Sequence, residues 1–449
     1  NGEEVDHQQL KRCVAVFETM GQGDMDCYIN DFEDALLTKS ETYYNGRAAE
    51  WMSTDDTPAY LIKAEAALKA EKKRVEDYLI GSTEPKLLSV CEKQLLEVHQ
   101  MELLNRETSG CAALLKNNKV DDLTRMFQLF GRLDEGLVPM SKIVESYFNS
   151  CGQDLMDQRK QTIAQQDKKK ESASDPTLVK SFIDLHARCQ SFVDNQFQKE
   201  PLFQGALKVA FETIMNTDVG TLTNAEYLAT FCDRMLKKGG EKLSENQVEQ
   251  RLENIVQLFS YLNDKILFSD IYRNLLAKRL LNQKSANDDA EKSMIGKLKL
   301  KCGAQFTSKM EGMLNDLSTG KDHVEKFQTF AKNNASKFDL RGVEFNVQVL
   351  TTGFWPKNID TKLNLPTSMD TCVKAFVEYY TTATEARKLL FTESLGGCTV
   401  QMKVGKKPYD LSVTTLQAAV LDMFTANEDG SAPSYTLEEI VASLKLGEK

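Results

Sequence analysis

The chain has 449 residues, a length that accommodates about three to four domains of ordinary size. Its formal net charge of −10 gives no general case for nucleic-acid binding, and no run approaches the ~18 apolar residues of a membrane span. Hydrophobic content of 41% with 27% charge is ordinary for a globular protein, and only 9 prolines and 24 glycines point to long uninterrupted helices.

From Leu10 to about Asn216 the apolar residues recur at helical spacing. A break at Gly21-Gln22-Gly23 precedes Tyr28, Phe32, Ala35, Leu36 and Tyr43. Thr57-Pro58 opens a helix predicted to run to Ile80, with Leu61, Ala64, Leu68 and Val75 on its apolar stripe. Proline suits that start because its missing N–H would have no partner there. Lys86–Leu104 follows, then Val120–Leu133, Leu137–Phe148, Leu178–Phe197 and Leu202–Met215. Short breaks between helices of ~12–24 residues imply antiparallel neighbours, hence stacked bundles or a solenoid. Arg159–Pro176 is polar and predicts an exposed loop, with Lys168, Lys169 and Lys170 in solvent.

Asn224–Leu236 is the next helix, closed by Lys237-Lys238-Gly239-Gly240. Val248–Leu262, Asn263–Leu281 and Ala290–Leu300 follow. In Asn263–Leu281 one face carries Phe268, Ile271, Tyr272, Leu275, Leu276 and Leu280. Lys278 and Arg279 stand near its end, where a helix dipole favours cations. Residues 263–303 hold nine basic residues against five acids, either a solvated face or a steering surface for an acidic partner.

The period then switches to two. Val343, Phe345, Val347 and Val349 predict a half-buried strand, which Thr351–Pro356 ends. A helix is expected over Pro366–Thr382. Three short strands, Lys388–Phe391, Cys398–Val404 and Tyr409–Val413, predict an antiparallel meander and an α+β domain. Its open edges would suit addition of a partner's strand. Leu416–Phe424 is helical, and Thr436-x-x-Glu439 is a capping box opening the last helix.

The ten cysteines form no C-x-x-C pair and no zinc spacing, so they read as reduced thiols, and neither metal nor cofactor is expected. His7, His99, His186 and His323 lie in separate stretches, and no hydrolase, metalloprotease or phosphate-loop motif occurs. His186, among Phe182, Ile183 and Leu185, reads as a core or boundary histidine. Cys302 and Cys398 lie near basic residues, but nothing in the sequence marks either as a nucleophile. No catalytic residue is assigned.

The run Phe268-x-Asp270-Ile271-Tyr272-Arg273-x-Leu275-Leu276-Ala277-Lys278-Arg279-Leu280-Leu281 resembles the signature helix of the cullins, scaffold subunits of multisubunit RING ubiquitin ligases. Ala59–Leu79, Ser285–Ile295 and Leu350-Thr351-x-Gly353-x-Trp355-Pro356 are similar to further cullin stretches. The likeness covers residues 10 to 445 and is greatest to the cullin of the F-box (SCF) ligases. It implies a mostly α fold: a second cullin repeat over 1–110, a third over 111–220, a four-helix bundle over 221–340, an α/β domain over 341–415, and the start of a winged helix over 416–449. With Asn1 first and Lys449 last, an internal piece is expected, lacking the first repeat and the last winged-helix domain.

The resemblance further implies a non-catalytic, rigid scaffold in the nucleus and cytoplasm. A RING-box protein would dock on Lys388, Leu389, Leu390, Phe391, Thr399, Val400, Gln401, Met402, Tyr409 and Leu411 and hold a ubiquitin-conjugating enzyme. Lys237, Lys238 and Lys242 would form a basic patch for that enzyme. Phe268, Ile271, Tyr272, Leu276, Ala277, Lys278, Arg279, Leu280, Gly353, Trp355 and Pro356 would be structural signature residues. A substrate adaptor would bind the missing first repeat, and an exchange factor and a deneddylating complex are further family partners. The alternative is a helical scaffold of another complex with no RING partner.

Overall fold

The computed structural model describes residues 6–165, 175–239, 244–338, 340, 342–356, 363–384, 387–404, 407–425 and 433–445. The chain divides into two compact units, one of residues 1–227 with 257–263, the other of 228–256 with 264–449.

The first unit carries α1 (His7–Met20), α2 (Asp26–Tyr28), α3 (Asp34–Thr54), α4 (Thr57–Tyr78), α5 (Glu84–Glu92), α6 (Gln100–Asn105), α7 (Cys111–Lys116), α8 (Val120–Phe130), α9 (Leu137–Gln165), α10 (Thr177–Ser191) and α11 (Pro201–Met215). Asp56 caps α4 by accepting from the Ala59 N–H at 2.9 Å, one residue before the expected Thr57-Pro58 start. Tyr60, Leu61, Ala64, Leu68 and Val75 of α4 are buried, the stripe the spacing predicts.

Lys86–Leu104, expected as one helix, is interrupted. After α5 a π turn spans Lys93–Glu97 before α6 begins. Further π turns span Ile29–Glu33 and Phe192–Gln196. A π turn holds one residue more than an α turn, so the face after it is rotated. In the first two a polar side chain ends up inside with partners. Glu33 accepts from the Thr83 hydroxyl at 2.8 Å and from Lys86 Nζ at 2.6 Å, while Gln94 Nε2 donates to Glu41 at 3.0 Å.

The exposed loop predicted over Arg159–Pro176 is corrected at its start, because α9 continues to Gln165. Arg159 is buried there. It pairs with Asp175 and its guanidinium stands 5.7 Å over the Tyr227 ring, so a polar stretch still has an inward anchor. Lys168, Lys169 and Lys170 lie outside the described residues.

The second unit holds α12 (Asn224–Leu236) from Leu228 on, α13 (Glu245–Ser260) to Val256, α14 (Lys265–Leu281), α15 (Asp288–Cys302), α16 (Ala304–Asn333) and α17 (Thr367–Ala383). It ends with β1 (Gly397–Val404), β2 (Lys407–Thr414), α18 (Thr415–Met423) and α19 (Leu437–Leu444). Capping boxes open both last helices, Thr414 with Gln417 and the expected Thr436 with Glu439.

Among the described residues the sheet has two strands, not a meander of three. β1 pairs antiparallel with β2, Cys398 opposite Val413, Val400 opposite Leu411 and Met402 opposite Tyr409. Lys388–Phe391 and Val343–Val349 are not strands. Their alternation is nonetheless real. Phe345, Val347, Val349, Leu389 and Phe391 pack on a buried cluster of Phe327, Ala375, Phe376, Tyr379 and Tyr380. Val343, expected inward, is 43% exposed, and Leu390 is 62% exposed. A side-chain pattern with period two fixes which way residues face, while a ladder needs a second backbone alongside.

Candidate functional site

Asp264 caps α14, accepting from the Leu267 N–H at 2.8 Å. Phe268, Tyr272, Leu276, Ala277 and Leu280 are buried and Ile271 is half-buried, as the apolar spacing requires. The Phe268 and Tyr272 rings stack with centroids 5.8 Å apart.

Arg279 and Lys278, the basic pair near the helix end, part company: Lys278 is exposed and Arg279 is buried. It is 2% exposed, against a Glu291 that is fully buried. Arg279 Nε and Nη2 donate to the two Glu291 oxygens, each at 2.9 Å, and Nη1 donates to Asp233. Such a two-pronged pair is the strong geometry for arginine. The Ser285 hydroxyl donates to Glu291 at 2.8 Å, and the Arg279 guanidinium stands 5.6 Å from the Tyr272 ring centroid. Burial works against the Arg279 charge, but Glu291 and Asp233 outweigh it and hold its pKa above the ordinary value. Burial pushes the Tyr272 phenol up. One side chain thereby ties α12, α14 and α15 together.

The second signature stretch is a clamp on α16. Asp316 accepts from the Thr351 N–H at 2.7 Å, the Thr351 hydroxyl at 2.8 Å and Trp355 Nε1 at 2.7 Å. Gly353 has φ +98°, a conformation glycine adopts without strain. The Phe354 ring covers Gly312 so closely that a Cβ there would run into it. Trp355 and Gly353 are therefore positioning residues for the entry into the α+β region.

The ten residues expected to dock a partner divide by position. Thr399, Val400, Gln401 and Met402 lie on β1, and Tyr409 and Leu411 on β2. Val400 and Leu411 pair on one face with Met402 and Tyr409, which are 45% and 51% exposed. Lys388 to Phe391 precede that hairpin in the chain, outside any strand, and Leu389 and Phe391 pack on the α16–α17 core.

The basic patch is gathered by backbone pairing. Lys237 forms a bridge with Ser285, Lys238 N–H donates to the Lys284 carbonyl at 2.7 Å, and Ala286 N–H donates to the Leu236 carbonyl at 2.8 Å. Lys242 lies outside the described residues. Lys278 and Lys284, two of the nine basic residues of 263–303, line a hollow with Lys237.

His186 Nε2 lies 3.0 Å from the Tyr261 hydroxyl, and burial lowers its pKa to about 4, so it is a neutral core histidine at neutral pH. All ten cysteines are free. Burial pushes the Cys91, Cys111 and Cys189 thiols up to about 12 and raises Cys302 despite the nearby Lys265. None of these four is poised as a thiolate.

Comparison with known proteins gives two family matches, the cullin alpha solenoid domain over residues 1–324 and the cullin alpha+beta domain over 349–449. The chain belongs to the cullin family. This cullin is 42% identical to Cullin-2 of Arabidopsis thaliana over 99% of its own length and 60% of that protein. It is 43% identical to Cullin-1 of Oryza sativa subsp. japonica over 100% of its length and 60% of the relative, and 36% identical to Cullin-3 of Dictyostelium discoideum over 94% and 53%. The cullin thus spans about three fifths of the length of its curated relatives.

Proposed function

We propose that this cullin is the non-catalytic scaffold subunit of a RING-type ubiquitin ligase of the SCF kind, working in the nucleus and cytoplasm. A RING-box protein adds a strand to the α+β region and presents a charged conjugating enzyme. A substrate adaptor, an exchange factor and a deneddylating complex use other parts of the whole protein. The scaffold acts by holding substrate and enzyme together, which raises their effective concentration.

The observation that carries this reading is the open backbone of the α+β region. Residues 343–350 and 387–392 turn alternate side chains onto one core, yet belong to no ladder among the described residues, and the same unit carries a hairpin of only two strands. Two strands alone are marginal in water, and unpaired N–H and C=O groups are the natural seat of an added strand. Lys237 and Lys238 support attraction of an acidic segment of the conjugating enzyme.

Co-purification with a RING-box protein tests the proposal. Deleting Lys388–Val413, or substituting Leu390→Pro with Val400→Pro, is expected to abolish retention while the helical signal remains. Retention by such folded variants would refute docking through this region. Lys237→Glu with Lys238→Glu is expected to weaken conjugating-enzyme recruitment most at low salt.

A further inference from the structure

We propose that the hollow at the ends of α12 and α14 is an oxyanion site that takes phosphate, through Lys237, Lys278 and Lys284. The hollow measures about 220 Å³ and is lined by Asp233, Lys237, Leu275, Lys278, Arg279, Asn282 and Lys284. At ~30 Å³ per water that is room for about seven waters, or a phosphate with part of its hydration shell.

Charge decides what the hollow prefers. Asp233 is taken by Arg279, and Arg279 by Glu291 and Asp233. Lys237, Lys278 and Lys284 have no carboxylate within ion-pair reach among the described residues, although the chain is net acidic. Lysines at helix C-termini also balance the dipole, but each terminus is worth about half a charge. Two termini offset roughly one of the three cations, and Arg279 with its two carboxylates carries a net negative charge that offsets another, so the site stays about one charge positive.

The backbone holds these cations in place. Lys284 N–H donates to the Arg279 carbonyl at 2.8 Å and Gln283 N–H to the Leu280 carbonyl at 3.1 Å, with Gln283 at φ +54°. This left-handed closure turns the chain back after α14, and the Lys237 to Ser285 bridge pins it beside the end of α12. Asn282 Nδ2 uses one N–H on the Lys278 carbonyl at 2.8 Å and has a second to offer. Compact ammonium groups on a fixed frame suit a phosphate held as a point charge. The proposal shares Lys237 with the patch proposed for an acidic partner, and adds a ligand class and two further lysines. Direct phosphate binding and enzyme recruitment are separate measurements, so either can fail alone.

The test is titration of the whole chain with inorganic phosphate at constant ionic strength, followed by calorimetry and by phosphorus NMR line width. Saturable binding is expected, competed by sulfate and not by chloride, and weakened tenfold or more by Lys278→Gln with Lys284→Gln. Both lysines are exposed, so the fold should hold, and an unchanged thermal midpoint checks it. Lys292→Gln, on α15 outside the hollow, should leave binding unchanged. Non-saturable binding, equal competition by chloride, or full affinity in the double variant would overturn the site.

Discussion

The helical regions and the α+β region treat polar groups in opposite ways. Around Arg279, as around Glu33 and His186, charged or polar side chains are drawn inside and given partners from other elements. In the α+β region the side chains find a core, yet the backbone of 343–350 and 387–392 belongs to no ladder among the described residues. Paired buried side chains tie helices to one another, whereas an unpaired backbone edge is where a second strand can add.

That contrast can be broken at three points. The largest effect is expected at Arg279→Met, which leaves the fully buried Glu291 without its partner. Removing one member of a buried pair costs roughly 3–5 kcal/mol, read as a lower urea midpoint. Adding Glu291→Leu should restore most of the loss, whereas no recovery would mean that the pair does not act as a unit.

His186 comes next. Its folded pKa, about 4, lies below the ~6.5 of an unfolded histidine, so between those values the unfolded chain binds the extra proton. Stability is therefore full above pH 6.5 and falls as pH drops toward 4, by on the order of 2–3 kcal/mol. His186→Leu should flatten that part of the curve relative to the parent chain; an unchanged slope would show that the ring is already charged when folded.

The smallest effect is expected at Trp355→Phe, which removes one of the three donors to Asp316. The loss is roughly 1–2 kcal/mol and local, so hydrogen exchange should quicken in 345–356 while α14 stays protected. Equal quickening in both would erase the proposed difference between the regions.

The helices were largely legible because their apolar stripes recur at helical spacing, and the face of α14 is the clearest case. Arg279 was legible by position and not by type. It follows Leu276 by three and Tyr272 by seven, on the buried stripe, yet arginine ordinarily argues for solvent. Its partners are 12 and 46 residues away, a pairing no local pattern announces. The π turns escaped because one extra residue slips the helical frame without any signalling side chain. At the docking candidates, alternation told which residues face the core, but whether a strand pairs depends on a neighbour that sequence periodicity does not contain. Lys278 and Lys284 were legible as part of the basic 263–303 stretch, but their place beside Lys237 was not, because a tight turn and not spacing brings them there.

The hairpin also bears on how the protein can be handled. Its Met402 and Tyr409 pair is about half exposed beside Val400 and Leu411, and backbone on the same unit is ready to zip onto any extended chain. At high concentration the most available extended chain is another copy of the same molecule. Solubility would then follow stoichiometry: an excess of this subunit over the strand donor proposed above would favour self-stacking, and synthesis alongside that donor would suppress it.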